Sequence, residues 1–417
     1  MMNALSMPCL LTFACIIGWS FYRLIWGSDK FDSLTFFYFF SLFFFGIAPL
    51  VQYVQGLDLA PMYNEELTEY HFLRLNLVLM GVLAIFESVY RIVRRRRPSA
   101  RVDGEFELRH WIFSIVLMAV ALLAFLWYEN FNLMNIFIRG GDADCERNNE
   151  VKLVGLLFGT CLRYVPMSVA VLYWLYGHGK MLKIVFIAVA CFCCFPLGMA
   201  RLQIAPVYLP LMMVVVKSLR KHRMFLVSLF VGSILFLFPL LHSFREKDVD
   251  LSGFELFDFS FLNKLHFDSY ASFAYILKER LTTGGEQLLG SILFWFPRSL
   301  WADKPIESGR MIAETFDLGM GEFTNIAVNF FAEGYLNFGM AGVLLFVVVL
   351  AAVCAWADRV FWSDELNFSR PIVLYYFSWI GILIFLLRGD MMSGVAFTMG
   401  LMVSHFVAEF IVLRRAV

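Results

Sequence analysis

The apolar residues of this chain occur in runs of about twenty, and this feature limits the possible folds more than any other. At about 1.5 Å of rise per residue, such a run forms a helix about as long as the hydrocarbon core of a bilayer is thick. Only helices and closed barrels satisfy their backbone polar groups in lipid, and these runs are too long for barrel strands. Charged residues make up only 16% of the 417 residues, too few for the surface of a soluble domain. We therefore predict an all-α polytopic membrane protein.

Hydropathy predicts about eleven transmembrane helices. The predicted spans lie near residues 5–25, 34–54, 70–93, 108–128, 151–176, 181–199, 204–217, 224–243, 338–357, 371–387 and 394–413. They divide the chain into an N-terminal bundle of about eight spans (1–243), a large loop (244–337) and a C-terminal bundle of about three spans (338–417). The loop is too aromatic for a solvated linker, so we expect interfacial or re-entrant helices in it.

Basic residues orient these spans. Six arginines between residues 91 and 101 follow the third predicted span, and the positive-inside rule places them in the cytoplasm. Alternation then puts nearly all other basic clusters inside and the large loop 244–337 on the outer face. The net charge is zero, so no nucleic-acid partner is indicated.

Arginines on the predicted outer face run against this topological bias. They are Arg139, Arg147, Arg201, Arg245, Arg280, Arg298, Arg310 and Arg388. A guanidinium group suits phosphate and diphosphate oxygens, whereas the chain has no nucleotide-type phosphate loop and no HExxH metal pattern. Its Cys191–Cys194 segment lies within an apolar run, where we interpret the cysteines as small apolar residues of a membrane helix. We therefore expect an anionic substrate, reached from the outer leaflet, with no metal and no cofactor. The alternative is that several of these arginines pair with lipid head groups or nearby acids.

Arg298 has the most specific sequence context. Pro297 and Pro305 bracket a short rigid segment that holds Arg298 and Lys304. We expect both cations at the depth of the lipid head groups, and Arg310 follows in a stretch with helical spacing. An interfacial turn that only contacts lipid phosphates is the alternative.

Two further arginines are candidates because of their position in the membrane. Arg163 lies well inside the fifth predicted span, where a charge needs a polar cavity, a buried acid or backbone carbonyls as partner. Arg201 lies in a very short outer turn, where it projects into the mouth of the bundle or snorkels to the interface. For His405, in the last span, we favour a structural role.

Glu333 is the candidate acid–base residue. It lies among aromatic residues just before the ninth predicted span. A carboxylate there can act as general base on a sugar hydroxyl, or it can pair with an arginine and only orient it. His266 is the imidazole alternative.

Two segments resemble the Wzy-type polymerases of O-antigen repeat units. The segment from Pro297-Arg298 through Trp301 to Lys304-Pro305 is similar to that family's Pro-Arg-x-x-Trp-x-x-Lys-Pro sequence. The segment Glu333-Gly334-Tyr335-Leu336-Asn337-Phe338-Gly339 resembles the family's Glu-x-Tyr-x-Asn-Phe-Gly sequence at the start of a late span. The detailed match covers roughly residues 266–342.

The resemblance implies a glycosyltransferase of the GT-C kind at the periplasmic face of the bacterial inner membrane. Donor and acceptor would both be glycans on undecaprenyl diphosphate, and a polysaccharide chain-length regulator is a possible partner. We expect Arg298 and Arg201 on the diphosphate, with Lys304, Arg310 and either Arg163 or Arg139 in support. Glu333 would be base or orienting residue.

Two other functions stay open. An O-antigen ligase uses the same donor but transfers the glycan to lipid A–core. A flippase or other transporter of lipid-linked oligosaccharides would be expected to show charges spread through the spans and a repeat between the two halves, and neither is evident in the sequence.

Overall fold

A computed structural model gives the fold of most of the chain. It describes residues 6–27, 30–56, 67–95, 106–132, 136, 155, 158–159, 161–237, 262, 267–315 and 326–415. The first elements are α1 (Met7–Trp26), α2 (Ser33–Phe40), a π-helical segment (Ser41–Ile47), α3 (Ala48–Gln55), α4 (Glu69–Arg94), β1 (Phe106–Leu108) and α5 (Trp111–Tyr128). The middle elements are α6 (Val165–Tyr176), α7 (Lys180–Cys193), α8 (Arg201–Val215), α9 (Ser218–Lys221) and α10 (Arg223–Gly232). The last elements are α11 (Ser269–Glu279), α12 (Glu286–Ile292), α13 (Ser308–Thr315), α14 (Phe330–Phe361), α15 (Ile372–Arg388), α16 (Met391–Val412) and β2 (Leu413–Arg415).

The described residues are those of an α-helical polytopic membrane protein. Seven helical stretches are long and apolar enough to cross a membrane: Met7–Trp26, Ser33–Gln55, Glu69–Arg94, Trp111–Tyr128, Lys180–Gly198, Phe330–Phe361 and Met391–Val412. Three shorter apolar helices are Arg201–Val215, Arg223–Phe236 and Ile372–Arg388. The predicted fold class is thereby confirmed. The total of about eleven spans, the GT-C-like arrangement and the division at residues 243 and 337 stay predictions.

The chain forms two compact units. The first comprises residues 1–97, 255–358 and 383–396, and the second comprises residues 98–254, 359–382 and 397–417. The first unit has an aromatic core, in which Phe37 of α2 stacks on Phe86 of α4 with ring centroids 3.7 Å apart. Such stacked pairs add to the stabilisation that burial alone gives.

Buried acids fix the α2 end of this first unit. The Asp358 carboxylate accepts hydrogen bonds from the backbone amide of Ser33 at 3.1 Å and from the Tyr90 hydroxyl at 2.5 Å. Arg94 pairs with Asp32 at 2.5 Å. Because each buried charge has a partner, α2, α4 and the far end of α14 are locked together.

A sharp bend divides α14. Phe338 and Gly339 leave the helical region, and Gly339 has φ of 61°, which costs little only for glycine. The bend brings the backbones of Gly334 and Gly342 into contact. A Cβ atom on Gly342 would lie 1.8 Å from the Gly334 carbonyl oxygen. In a straight helix these residues would be about 12 Å apart. The segment that carries Glu333 is therefore folded back on the rest of α14.

The second unit contains a buried histidine and a small sheet. His405 of α16 lies between two serine hydroxyls, with Ser168 Oγ 2.8 Å from Nδ1 and Ser378 Oγ 2.8 Å from Nε2. Both ring nitrogens are thus engaged with protein, which agrees with the structural role favoured for His405. Strands β1 and β2 pair antiparallel, with Glu107 opposite Arg414.

Candidate functional site

Glu333 lies in the first turn of α14 and is completely buried. Asn329 begins this helix, because its side-chain oxygen accepts hydrogen bonds from the amides of Phe331 at 3.1 Å and Ala332 at 2.9 Å. Asn337 closes the same segment by accepting a hydrogen bond from the Leu288 amide at 2.8 Å. The sequence thus fixes Glu333 on a short helical segment clamped at both ends.

Ser308, the first residue of α13, joins two carboxylates. Its hydroxyl donates to Glu333 Oε2 at 2.8 Å, and its backbone amide donates to Asp390 Oδ1 at 3.0 Å. Ser308 Oγ also lies 3.4 Å from the side-chain oxygen of Gln287 in α12. Three segments, which carry Glu333, Asp390 and Gln287, therefore converge on this one buried serine.

Asp390 comes from the short turn between α15 and α16. Its second oxygen accepts a hydrogen bond from the Ser393 amide at 2.8 Å, which caps the start of α16. The Met391 amide donates to Glu333 Oε1 at 3.2 Å. These contacts with Ser308 and Met391 hold the buried carboxyl groups of Glu333 and Asp390 near each other.

Glu307 lies at the exposed edge of this acidic cluster. Burial and the charge of Asp390 raise the pKa of Glu307, whereas Arg310 and Arg298 oppose that rise, and Ser393 hydrogen-bonds its side chain. Glu307 therefore links the buried carboxylates to two cations on the surface. Glu333 and Asp390 are buried, whereas Glu307, Arg298 and Arg310 are exposed.

The Arg298 segment is held by its own backbone carbonyls. The Arg298 guanidinium donates to the carbonyl oxygens of Lys304 at 2.7 Å and Pro305 at 3.1 Å. The buried Lys304 ammonium donates to the carbonyls of Phe294 at 2.6 Å and Phe296 at 3.0 Å. Burial and the nearby Arg298 lower the pKa of Lys304. Arg298 itself stays exposed, so it can meet a ligand, while Lys304 mainly shapes the loop.

Arg310 is exposed on α13, two residues after Ser308. It forms an ion pair with Glu314 at 2.8 Å, one helical turn further on. Four predicted residues, Arg298, Lys304, Arg310 and Glu333, thus lie together in the first unit.

A second buried pair lies in the same unit. Arg388, at the end of α15, is 3.6 Å from Asp268. The other oxygen of Asp268 accepts a hydrogen bond from the Ala327 amide at 3.0 Å. Burial raises the pKa of Asp268 to about 6, although Arg388 opposes that rise. This pair fastens the start of α11 to the segment that leads into α14.

Two of the other predicted residues belong to the second unit, and two lie outside the described residues. Arg163 and Arg201 belong to the second unit. Arg163 donates to the Cys193 carbonyl at 3.1 Å and lies over the Phe125 ring. A backbone carbonyl is one of the partners that the sequence analysis left open for Arg163. Arg201 is the first residue of α8 and is half-buried. Arg139 and His266 lie outside the described residues.

Sequence reasoning missed four residues of the cluster. They are Gln287, Glu307, Ser308 and Asp390. A signal existed for Asp390, because Arg388-Gly389-Asp390 places two charges in a very short turn between apolar runs. For Gln287 and Ser308 the sequence gives no such signal, since both are ordinary polar residues in a long loop.

Within the described ranges no group of three histidine, cysteine, aspartate or glutamate side chains is arranged to hold a metal ion. The exposed arginines of the cluster can bind an anion. Beside that anion lie carboxylates that differ in their exposure to water. No protein-family model, curated protein or solved structure matches this chain.

Proposed function

We propose that the protein is a membrane glycosyltransferase that polymerises undecaprenyl-diphosphate-linked repeat units into O-antigen or a related surface polysaccharide. The reaction would take place at the periplasmic face of the bacterial inner membrane. The observation that carries the proposal is the placement of exposed Arg298 and Arg310 beside Glu307 and the buried pair Glu333 and Asp390. The resemblance of the segments containing Arg298 and Glu333 to Wzy-type polymerases agrees with it.

The chemistry of glycan transfer needs these two kinds of group. A hydroxyl oxygen of the acceptor sugar attacks the anomeric carbon of the donor glycan. The bond from that carbon to the diphosphate oxygen breaks, and the lipid diphosphate leaves with its electron pair. Guanidinium groups stabilise the negative charge that develops on the diphosphate. A carboxylate takes the proton of the attacking hydroxyl.

Exposure distinguishes the roles of the carboxylates. Both oxygens of Glu333 already accept hydrogen bonds from Ser308 and Met391, and the side chain is fully buried. These contacts favour the orienting role for Glu333 over that of base. Glu307 is exposed and interacts with Arg298 and Arg310, so we assign it the proton-accepting role. The raised pKa of Glu307 makes it a stronger base than an ordinary carboxylate.

The glycan ladder of a deletion strain tests the proposal. Loss of the ladder with retention of core carrying a single repeat unit, restored by the wild-type gene, is the result expected for a polymerase. Loss of every capped form, with polymer held on undecaprenyl diphosphate, would instead identify an O-antigen ligase. Absence of lipid-linked units from the periplasmic face would point to a flippase.

A further inference from the structure

Two adjoining cavities lie in the second unit, where β1, the turn after α6 and the end of α16 meet. The larger has a volume of about 770 Å³ and the smaller about 300 Å³. Phe106 and Arg109 line both of them. The Arg109 amide donates to the Val412 carbonyl at 2.9 Å, which anchors Arg109 at the last turn of α16. This arginine therefore stands at the junction of the two cavities.

The larger cavity is aromatic and cationic. Its lining includes Trp111, Tyr173 and Tyr176 together with Arg109 and His178. A volume of this size accommodates a small polar group or ligand. The tyrosine hydroxyls are engaged with backbone, since Tyr173 donates to the His178 carbonyl and Tyr176 to the Ser369 carbonyl, both at 2.9 Å. The rings thus form fixed walls.

The smaller cavity joins cations to an apolar surface. Arg414 and Arg415 line it with Phe406 and Phe410 of α16. The two phenylalanines are 63% and 66% exposed and stack on each other. Four residues apart, they form one stripe on the helix. On an apolar helix long enough to cross a membrane, this stripe faces acyl chains.

The acids near the cavities are already engaged. Glu107 pairs with Arg414 at 2.7 Å, and Glu409 accepts a hydrogen bond from Tyr375 at 2.7 Å. The guanidinium of Arg109 lies over the Phe410 ring. Arg414 offsets the charge of Glu107, whereas the neutral Tyr375 leaves the negative charge of Glu409 in place. Arg109 and Arg415 together exceed the charge of Glu409 by one, and this net positive charge favours an anionic ligand.

We propose that these cavities bind one anionic phospholipid of the bilayer. Its phosphate meets Arg109, its head group enters the larger cavity, and an acyl chain lies along Phe406 and Phe410. Charge complementarity selects the phosphate, and the exposed aromatic stripe selects an acylated ligand over a free anion. The site is built from residues of the second unit, and the assignment does not depend on the proposed transferase activity.

Lipid retention by the purified full-length protein tests this assignment. After exchange into detergent, mass spectrometry compares retained phosphatidylglycerol with phosphatidylcholine. We expect preferential retention of phosphatidylglycerol, and a reduction of about tenfold in Arg109→Gln, which removes a charge-assisted contact. Arg109→Lys should lose less, since it keeps the charge. Lys180→Gln is the matched control, because Lys180 is an exposed cation near the larger cavity but is not part of its lining.

A second variant tests the acyl-chain contact. Phe406→Ala, which removes part of the exposed aromatic stripe, should also lower the retention of phosphatidylglycerol. Equal retention of both lipids, or equal losses in Arg109→Gln and Lys180→Gln, would overturn the proposal. Binding of inorganic phosphate at Arg109 without any effect of Phe406→Ala would overturn the lipid assignment in favour of a free anion.

Discussion

Glu333 and Asp390 bind the same residue, Ser308, one through its hydroxyl and the other through its backbone amide. Glu333 lies in α14, Asp390 lies in the turn before α16, and Ser308 begins α13. A small displacement of any one of these elements would therefore break contacts in the other two. This shared serine fixes where α13 begins and thereby where the exposed Arg310 and Glu307 stand.

Ser308→Ala should destabilise the protein by about 1–3 kcal/mol, because Glu333 Oε2 would lose its hydroxyl donor inside a buried site. Thermal unfolding in detergent measures the change. Ser299→Ala is the control, since Ser299 is an exposed serine of the same loop. Equal melting temperatures for the two variants would show that the hydrogen bond from Ser308 to Glu333 contributes nothing to stability.

Glu307→Gln should reduce transfer by about 10²–10⁴-fold, the usual contribution of a general base. The pKa of Glu307 is raised, chiefly by burial and by the charge of Asp390, and only the ionised form of the group accepts a proton. Transfer should therefore increase as pH rises through that pKa, and Glu307→Gln should lose this increase. Polymerisation in proteoliposomes supplied with lipid-linked repeat units measures both. Glu314→Gln is the control, because Glu314 is an exposed acid on α13, and it should keep the pH dependence of the wild type. A wild-type pH dependence in Glu307→Gln would show that Glu307 is not the base of the reaction.

Arg298→Ala should abolish long glycan chains without lowering the amount of protein in the membrane. A loss of about 10²–10³-fold is typical when one group that stabilises developing negative charge is removed. Arg298→Lys should recover only part of the activity, because lysine cannot donate to the carbonyls of Lys304 and Pro305 as the guanidinium fork does. Arg280→Gln, at an exposed arginine that ends α11, should leave the ladder intact. Full-length chains from Arg298→Ala would contradict the assignment.

Asp268 should make stability depend on pH. Its pKa is raised from its ordinary value of 3.8 to about 6 in the folded protein, so the folded state holds a proton that the unfolded state releases between these values. The contribution of Asp268 to the free energy of unfolding therefore falls by about 2–3 kcal/mol as pH rises from about 4 to about 6. Asp268→Asn should remove this slope in melting curves recorded across that pH range. An unchanged slope would assign the pH dependence to other groups.

Arg388→Ala should be more damaging than Asp268→Asn, because it leaves a buried carboxylate without its cation. Losing one partner of a buried pair costs about 3–5 kcal/mol. The double variant Arg388→Ala with Asp268→Asn should recover part of that loss. Melting temperatures of the three variants test this order, and a double variant no more stable than Arg388→Ala would refute the coupling.

Much of the helical architecture could be predicted from the sequence because bilayer thickness dictates the length of an apolar run. The third span, predicted at 70–93, is Glu69–Arg94, and the last, predicted at 394–413, is Met391–Val412. The π-helical segment Ser41–Ile47 and the bend at Gly339 could not be predicted. The π-helical segment interrupts a continuous apolar run. The bend lies at the start of the predicted ninth span and depends on a contact between Gly334 and Gly342.

The candidate site was predictable only in part. Glu333 and Arg298 stand out locally, one as an acid among aromatic residues and the other as an arginine between prolines. Their surroundings depend on contacts between distant segments. Ser308 and Asp390 reach Glu333 from opposite directions along the chain, and no local pattern encodes that meeting. The burial of Glu333, which favours the orienting role, follows from the same long-range contacts.

The bend of α14 also has a consequence for how the protein tolerates different membranes. The helix has 32 residues and would be about 48 Å long if straight, well beyond the hydrocarbon core. Folding the Glu333 segment back at Gly339 leaves a straight portion of about 33 Å. This portion can tilt to match a thinner or thicker bilayer. The contacts of Glu333 with Ser308 and Met391 lie on the other side of the bend. A change in lipid chain length should therefore affect the straight portion of α14 more directly than the acidic cluster.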